Sequence, residues 1–179
     1  NTNNKIQPIV LCGGTGDRLW TNSQSHQAKQ FIDFGNWTLL DKTLQRLKKP
    51  IFDIPIISTN LIHFKEIKKH LKKNKINKYK IILEPIKKNT GPAILAASLI
   101  KDIPYNKPLI FFSADHLIEK DHLLIKELKK QKAELSDQNI FLFGIKPENS
   151  SSQLGYFITK KITKNLNKVV KFIEKPQEK

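Results

Sequence analysis

Pro8-Ile9-Val10-Leu11-Cys12 runs directly into Gly13-Gly14-Thr15-Gly16-Asp17-Arg18-Leu19-Trp20. The first five residues are apolar, partly β-branched and uninterrupted, as a strand buried on both faces should be. Three glycines in the next four positions free the backbone for a tight turn and let a ligand approach the amides closely. Exposed N–H groups in such a turn attract anions. No Gly-Lys-Ser/Thr follows, so this is not a Walker loop, and Leu19 stands where a dinucleotide fingerprint needs its third glycine. A plain tight turn is the competing reading. Arg18 shifts the balance towards phosphate, and Lys29, in Ala28-Lys29-Gln30-Phe31, offers a second cation from the same connection.

Further apolar runs recur along the chain at Ile54–Ser58, Lys80–Leu83, Leu109–Ser113, Ile140–Gly144, Tyr156–Thr159 and Val169–Ile173. Helical patterns separate the early ones. Leu40, Leu44 and Leu47 share a face behind a Thr38/Asp41 capping box. Phe64, Ile67 and Leu71 form a second stripe, with Lys68, Lys69, Lys72 and Lys73 on a solvated face. A third helix starts near Asn89–Pro92, where a capping Asn or Thr precedes a proline. A fourth covers about Asp121–Leu135, with Leu124, Leu128 and Leu135 inward. This alternation predicts a doubly wound α/β sheet with no domain boundary before residue 179, and places ligands at the C-terminal ends of the strands.

Composition narrows the function. The chain has 179 residues, 39% of them hydrophobic, enough for one packed core. One cysteine excludes a disulfide framework and a multi-Cys zinc site and fits a reducing, cytoplasmic setting. No signal-peptide pattern or membrane span is expected. The formal charge of +16 would ordinarily point to nucleic acid. Arginine occurs only at 18 and 46, however, and Lys, Ile and Asn dominate throughout. That pattern reflects composition bias better than a phosphate-reading surface, so neither nucleic acid nor membrane is expected as a partner. The absence of an initiator Met and the mid-domain character of the last residues suggest a chain cut from something longer.

Leu109–Ser113 ends in Ala114-Asp115-His116. A carboxylate at a strand's C-terminal tip is a hard oxygen ligand suited to Mg²⁺ with phosphate oxygens, although a turn or N-cap aspartate fits the tetrapeptide equally well. His116 reads as a packed ring. His63, His70 and His122 lack ligand spacing and read as surface residues. Cys12 has no identifiable base and reads as a small buried residue.

Together these segments resemble the sugar-nucleotide pyrophosphorylases, most closely the mannose-1-phosphate guanylyltransferase branch. The resemblance runs through LCGGTGDRLWTNSQSHQAKQF (11–31), LEPIKKNTGPAI (83–94), Ser113–His116, Phe143–Pro147, Leu154-Gly155-Tyr156 and Phe172–Pro176, in the family's order. It implies a Rossmann-like, mostly parallel sheet of the nucleotide-diphospho-sugar transferase type, with residues 1–179 forming the N-terminal part of a longer nucleotidyltransferase domain truncated at its C-terminal end. It also implies that Gly13, Gly14, Gly16 and Arg18 line the nucleotide and its phosphates, and that Lys29 neutralises phosphate charge. Glu84, Asn89 and Thr90 would border the nucleoside, Asp115 would hold Mg²⁺, and Gly155, Glu174 and Lys175 would meet the sugar phosphate. The competing readings are a turn glycine at 155 and an exposed ion pair at 174–175.

The implied reaction joins GTP and mannose 1-phosphate into GDP-mannose and pyrophosphate, with Arg18, Lys29 and Asp115 as the catalytic groups. Asp17 departs from the family's usual Thr and sets a negative charge beside Arg18. Thr21 and Ala28 replace usual prolines. The family's second metal carboxylate would lie beyond Lys179, so this stretch alone is expected to bind nucleotide better than it turns over. A transferase for another sugar 1-phosphate and a non-catalytic basic binding module are the alternatives. Homo-oligomerisation is left open.

Overall fold

The computed structural model describes residues 5–14, 27–86, 89–132, 135, 139–163 and 166–176. They belong to two compact units, Asn1–Asp137 and Gln138–Lys179. The first contains β1 (Gln7–Leu11), a 3-10 turn (Lys29–Phe31), α1 (Leu39–Arg46), β2 (Ile56–Asn60), α2 (Phe64–Lys73), β3 (Lys80–Glu84), α3 (Thr90–Ser98), β4 (Leu109–Ser113) and α4 (Asp121–Gln131). The second contains β5 (Gly155–Lys161) and β6 (Asn167–Glu174).

The sheet of the first unit is wholly parallel, in the order β3-β2-β1-β4. Its two faces are covered by different helices. Val10, Ile57 and Phe112 pack with Leu40 and Leu44 of α1, Ile67 and Leu71 of α2, and Ile125 and Leu128 of α4. Ile9 and Ile56 pack on the other face with Ala97 of α3. Successive strand residues point to opposite faces, so Ile9 and Val10 enter different cores. The expected doubly wound arrangement is therefore present. Small residues, Ala93 and Ala97, are the buried positions of α3.

The Thr38/Asp41 capping box forms in both directions: the Thr38 N–H donates to Asp41 Oδ2 at 3.0 Å, and the Asp41 N–H donates to Thr38 Oγ1 at 3.1 Å. Asp41 does more than cap. Lys73 Nζ donates to its Oδ2 at 2.7 Å, while His70 Nδ1 and Asn74 Nδ2 donate to Oδ1 at 2.8 and 2.5 Å. His70 is therefore a buried partner of α1, not a surface residue, and Lys73 is not merely solvated.

Other expectations change at element ends. β2 begins at Ile56, just after Pro55, whose missing N–H suits a strand boundary. α4 stops at Gln131, with Ile125 and Leu128 buried and Leu135 beyond the helix. Ile140–Gly144 is not a strand, and Ile140 is 91% exposed. Apolar composition alone does not make a strand when no neighbouring strand completes the ladder.

The second unit is an antiparallel pair with an irregularity between Ile158 and Thr159. Gly155 pairs with Glu174. A Cβ at 155 would lie 2.5 Å from Phe172 Cζ and 2.9 Å from Glu174 Oε2, so only glycine fits opposite this pair of side chains.

Burial alone would raise the Asp41 carboxyl, but the Lys73, His70 and Asn74 donors outweigh it and hold the group at about 2. Asp41→Ala is expected to cost about 3 kcal/mol of unfolding free energy at pH 7, measured by urea denaturation. The unfolded carboxyl titrates near ~3.9. The stabilisation is thus complete above that value and fades as pH falls towards 2, where wild-type and variant stabilities should converge.

Candidate functional site

The strand order reverses at β1. The chain steps from β1 outward to β2 and β3, then returns to place β4 on the opposite side of β1. In open α/β sheets the crevice at such a reversal, beyond the strands' C-terminal ends, is where ligands bind. Leu11 is level with Ser113 of β4 and with Ser58 of β2. The residues that continue past this level are Cys12-Gly13-Gly14 on β1 and Ala114-Asp115 on β4. The glycine turn and the strand-tip carboxylate thus occupy the two sides of one crevice. The Ala114 N–H donates to Leu11 O at 3.1 Å, carrying the β1–β4 ladder to its last step.

The β2 and β3 tips close the other side of β1. Ser58 Oγ donates to Glu84 Oε1 at 2.8 Å, which turns the Glu84 carboxylate back towards β1. An added Cβ at Gly13 would stand only 3.3 Å from Glu84 Oε1. Glycine at 13 is what allows this close approach. Thr59 Oγ1 donates to Cys12 O at 3.1 Å and Asn60 Nδ2 to Gly13 O at 3.3 Å. Gln30 Nε2 donates to Gly14 O at 2.9 Å, and His63 Nε2 lies 3.2 Å from the same oxygen. His63 is 9% exposed, contrary to the surface reading, and its ring meets Phe31 edge-on with centroids 5.1 Å apart.

Asp115 stays partly open to solvent. Its side chain is 36% exposed, Ser113 Oγ donates to its Oδ1, and the exposed His116 Nε2 stands 3.9 Å from that oxygen. His116 is therefore at the surface beside Asp115 and not packed inside. The Asp115 oxygens fit a hard divalent cation: an anionic oxygen donor, steadied by one hydroxyl, with capacity left over. Among the described residues no group of three or more His, Cys, Asp or Glu side chains is arranged to hold a metal.

Cys12 lies under the crevice floor. Burial, chiefly, pushes its thiol up to about 12; a hydrogen bond with Gln30 opposes this, and the Asp115 and Glu84 charges add to it. Both carboxylates thus bear on the same buried sulfur, which places them around the end of β1.

The structure brings Gly13, Gly14, Glu84 and Asp115 together at this edge. Lys29 is exposed on the 3-10 turn, next to Gln30. Asn89 precedes α3 at φ +63°, and its side chain makes no cap bond, unlike the expected N-cap; Thr90 opens the helix, and both are exposed. In the second unit Gly155 sits opposite Glu174, the Lys175 N–H donates to Leu154 O at 3.1 Å, and Lys175 Nζ lies 4.0 Å from Glu174 Oε1. Gly16 and Arg18, with Asp17 and Thr21, lie outside the described residues. Sequence reasoning missed Ser58, Asn60 and His63. Their only signal was position, at the tip of a buried strand and the start of the next helix.

A thiol this deeply buried and this hard to ionise should be inert. Cys12 is expected to resist Ellman's reagent at pH 8 in the folded chain and to react at the ordinary rate once urea exposes it.

The chain matches the Nucleotidyl transferase family over residues 7–179. It is 35% identical over 184 residues to Mannose-1-phosphate guanylyltransferase 2 of Escherichia coli O157:H7, covering 96% of this chain and 38% of that protein. Among solved structures it superposes on the mannose-6-phosphate isomerase of Helicobacter pylori with a TM-score of 0.75 at 26% identity, covering 96% of this chain and 61% of that one. It also superposes on the mannose-1-phosphate geranyltransferase of Thermus thermophilus with a TM-score of 0.78 at 24% identity, covering 97% and 51%. The chain spans under two fifths of the length of such curated relatives. Among the described residues no helix is long and apolar enough to cross a membrane. With a family match across almost its whole length and a glycine turn facing a strand-tip carboxylate at the sheet's reversal point, the chain belongs to the nucleotidyl transferase family.

Proposed function

We propose that the protein transfers a guanylyl group from GTP to mannose 1-phosphate, forming GDP-mannose and releasing pyrophosphate. The crevice between β1 and β4 carries this reading, because it sets backbone donors beside a carboxylate that suits a cation. The guanylyltransferase relatives favour mannose 1-phosphate and GTP over other pairs.

The reaction forms one bond, from a mannose 1-phosphate oxygen to the α-phosphorus of GTP, and breaks the bond from that phosphorus to the bridging oxygen of the leaving pyrophosphate. A phosphate monoester has a second pKa of about 6, so the nucleophile is already largely dianionic at neutral pH. No general base is required. The obstacle is repulsion between polyanions, and alignment with fixed positive partners removes it.

In this reading the amides of Gly13 and Gly14 and the charges of Arg18 and Lys29 meet the triphosphate. Glu84, Asn89 and Thr90 border the nucleoside. Asp115 holds Mg²⁺, which when bound supplies charge neutralisation and orientation at the phosphates. Gly155, Glu174 and Lys175 receive the sugar phosphate. Self-association and a cytoplasmic location are compatible with this chemistry but are not part of the argument for it.

Asp115→Ala in the whole protein is expected to lower pyrophosphate release on the order of 100-fold or more while circular dichroism stays unchanged. Near-normal release would remove Asp115 from the mechanism. Lys29→Ala is expected to raise KM for GTP severalfold; unchanged kinetics would assign Lys29 to the surface. A matrix of GTP, ATP and dTTP against mannose and glucose 1-phosphates tests the substrate pair. GTP with mannose 1-phosphate should be fastest, and a clear preference for another pair would reassign the enzyme within its family. Steeply salt-dependent DNA binding, with no turnover of any pair, would replace the enzyme by a basic binding module.

A further inference from the structure

Three consecutive carbonyls at the end of β1 are each held by a side chain from another element. Thr59 takes that of Cys12, Asn60 takes that of Gly13, and Gln30 and His63 converge on that of Gly14. A carbonyl oxygen only accepts, so the His63 ring donates from Nε2. A trans peptide unit is planar, with its N–H directed opposite its C=O, and no described peptide bond is cis. Holding the Cys12 and Gly13 carbonyls towards β2 therefore directs the Gly13 and Gly14 amides away from it. Among the described residues neither amide donates to a backbone oxygen.

The clamp is itself anchored. Asn60 Oδ1 accepts the His63 N–H at 3.0 Å, so one side chain both turns the chain into α2 and reaches the glycine turn. His63 O then accepts the Ile67 N–H at 2.9 Å, and the His63 ring rests against Phe31. Gln30 reaches Gly14 from the 3-10 turn that carries Lys29 and Phe31.

We propose that Gln30, Asn60 and His63 are positioning residues of the triphosphate site. They act through the carbonyls of Gly13 and Gly14 and keep the turn's amides aimed at phosphate oxygens before the ligand arrives, so that no reorganisation is needed on binding. The inference rests on the nucleotidyl-transfer reading above. Because Gly14 O has two donors, each backs up the other, and their joint loss exceeds the product of the single losses.

The test measures the affinity of the full chain for inorganic tripolyphosphate and for GTP, each with Mg²⁺, by calorimetry, alongside the thermal midpoint. His63→Phe keeps a ring against Phe31 and removes the donor. His63→Gln restores an amide donor at the Nε2 position. Gln30→Leu removes the second donor. Each single loss should weaken tripolyphosphate binding roughly 3- to 10-fold, the span of one ordinary hydrogen bond, and His63→Gln should recover most of it. The Gln30→Leu/His63→Phe double variant should lose more than the two factors multiplied. Wild-type affinity in the double variant would overturn the proposal. So would His63→Gln binding as weakly as His63→Phe, with affinity simply following the thermal midpoint. If the wild-type chain binds tripolyphosphate and not GTP, the guanylyl reading fails while the tripolyphosphate ratios still decide the positioning. Binding of neither overturns both.

Discussion

Strand β1 has no free edge and no free face. Parallel ladders to β2 and β4 occupy its two edges, and its side chains alternate between two apolar cores. Such a strand has to be apolar along its length, so polar chemistry can start only where it stops. It stops at a glycine turn. Because the strand order reverses at β1, that turn opens onto a crevice instead of a continuous sheet edge. The site's location thus follows from one pairing, β1 with β4.

Two aspartates of this chain show how differently one residue type is used. Asp41 is closed: both of its oxygens take two donors each, and the carboxylate welds α1 to α2. Asp115 is open: one hydroxyl reaches it, and about a third of its side chain meets solvent. The first has committed its hydrogen-bonding capacity to stability. The second retains capacity for a ligand. Glu84 lies between them in character, held by Ser58 and pressed against Gly13 but still half-buried at the edge. The negative charge of Glu84 and Asp115 around β1's end suits a site whose ligand arrives with cations.

Local signals in the chain were legible wherever local physics decided the outcome. The Thr38/Asp41 box needs only four residues of helix start, and it formed. The Ile67/Leu71 stripe needs only helical periodicity, and it is buried. Signals failed where a distant partner decides. Ile140–Gly144 has strand composition without a completed ladder. His63 and His70 occur without ligand spacing, yet both are buried, one beneath the glycine turn and one against Asp41. Asn89 has a capping residue's identity, but its backbone stands at φ +63° and its side chain caps nothing.

From sequence alone came the strand-then-glycine turn, the alternation that makes a doubly wound sheet, and the candidate residues Gly13, Gly14, Lys29, Glu84 and Asp115, because patterns of two, three and four residues are set by backbone geometry. Only the tertiary structure decided that β4 lies beside β1, that Glu84 folds back onto Gly13, and that Thr59, Asn60, Gln30 and His63 share three neighbouring carbonyls. Those are contacts between residues up to about a hundred positions apart, and no local rule of spacing encodes which strand returns to the centre of the sheet.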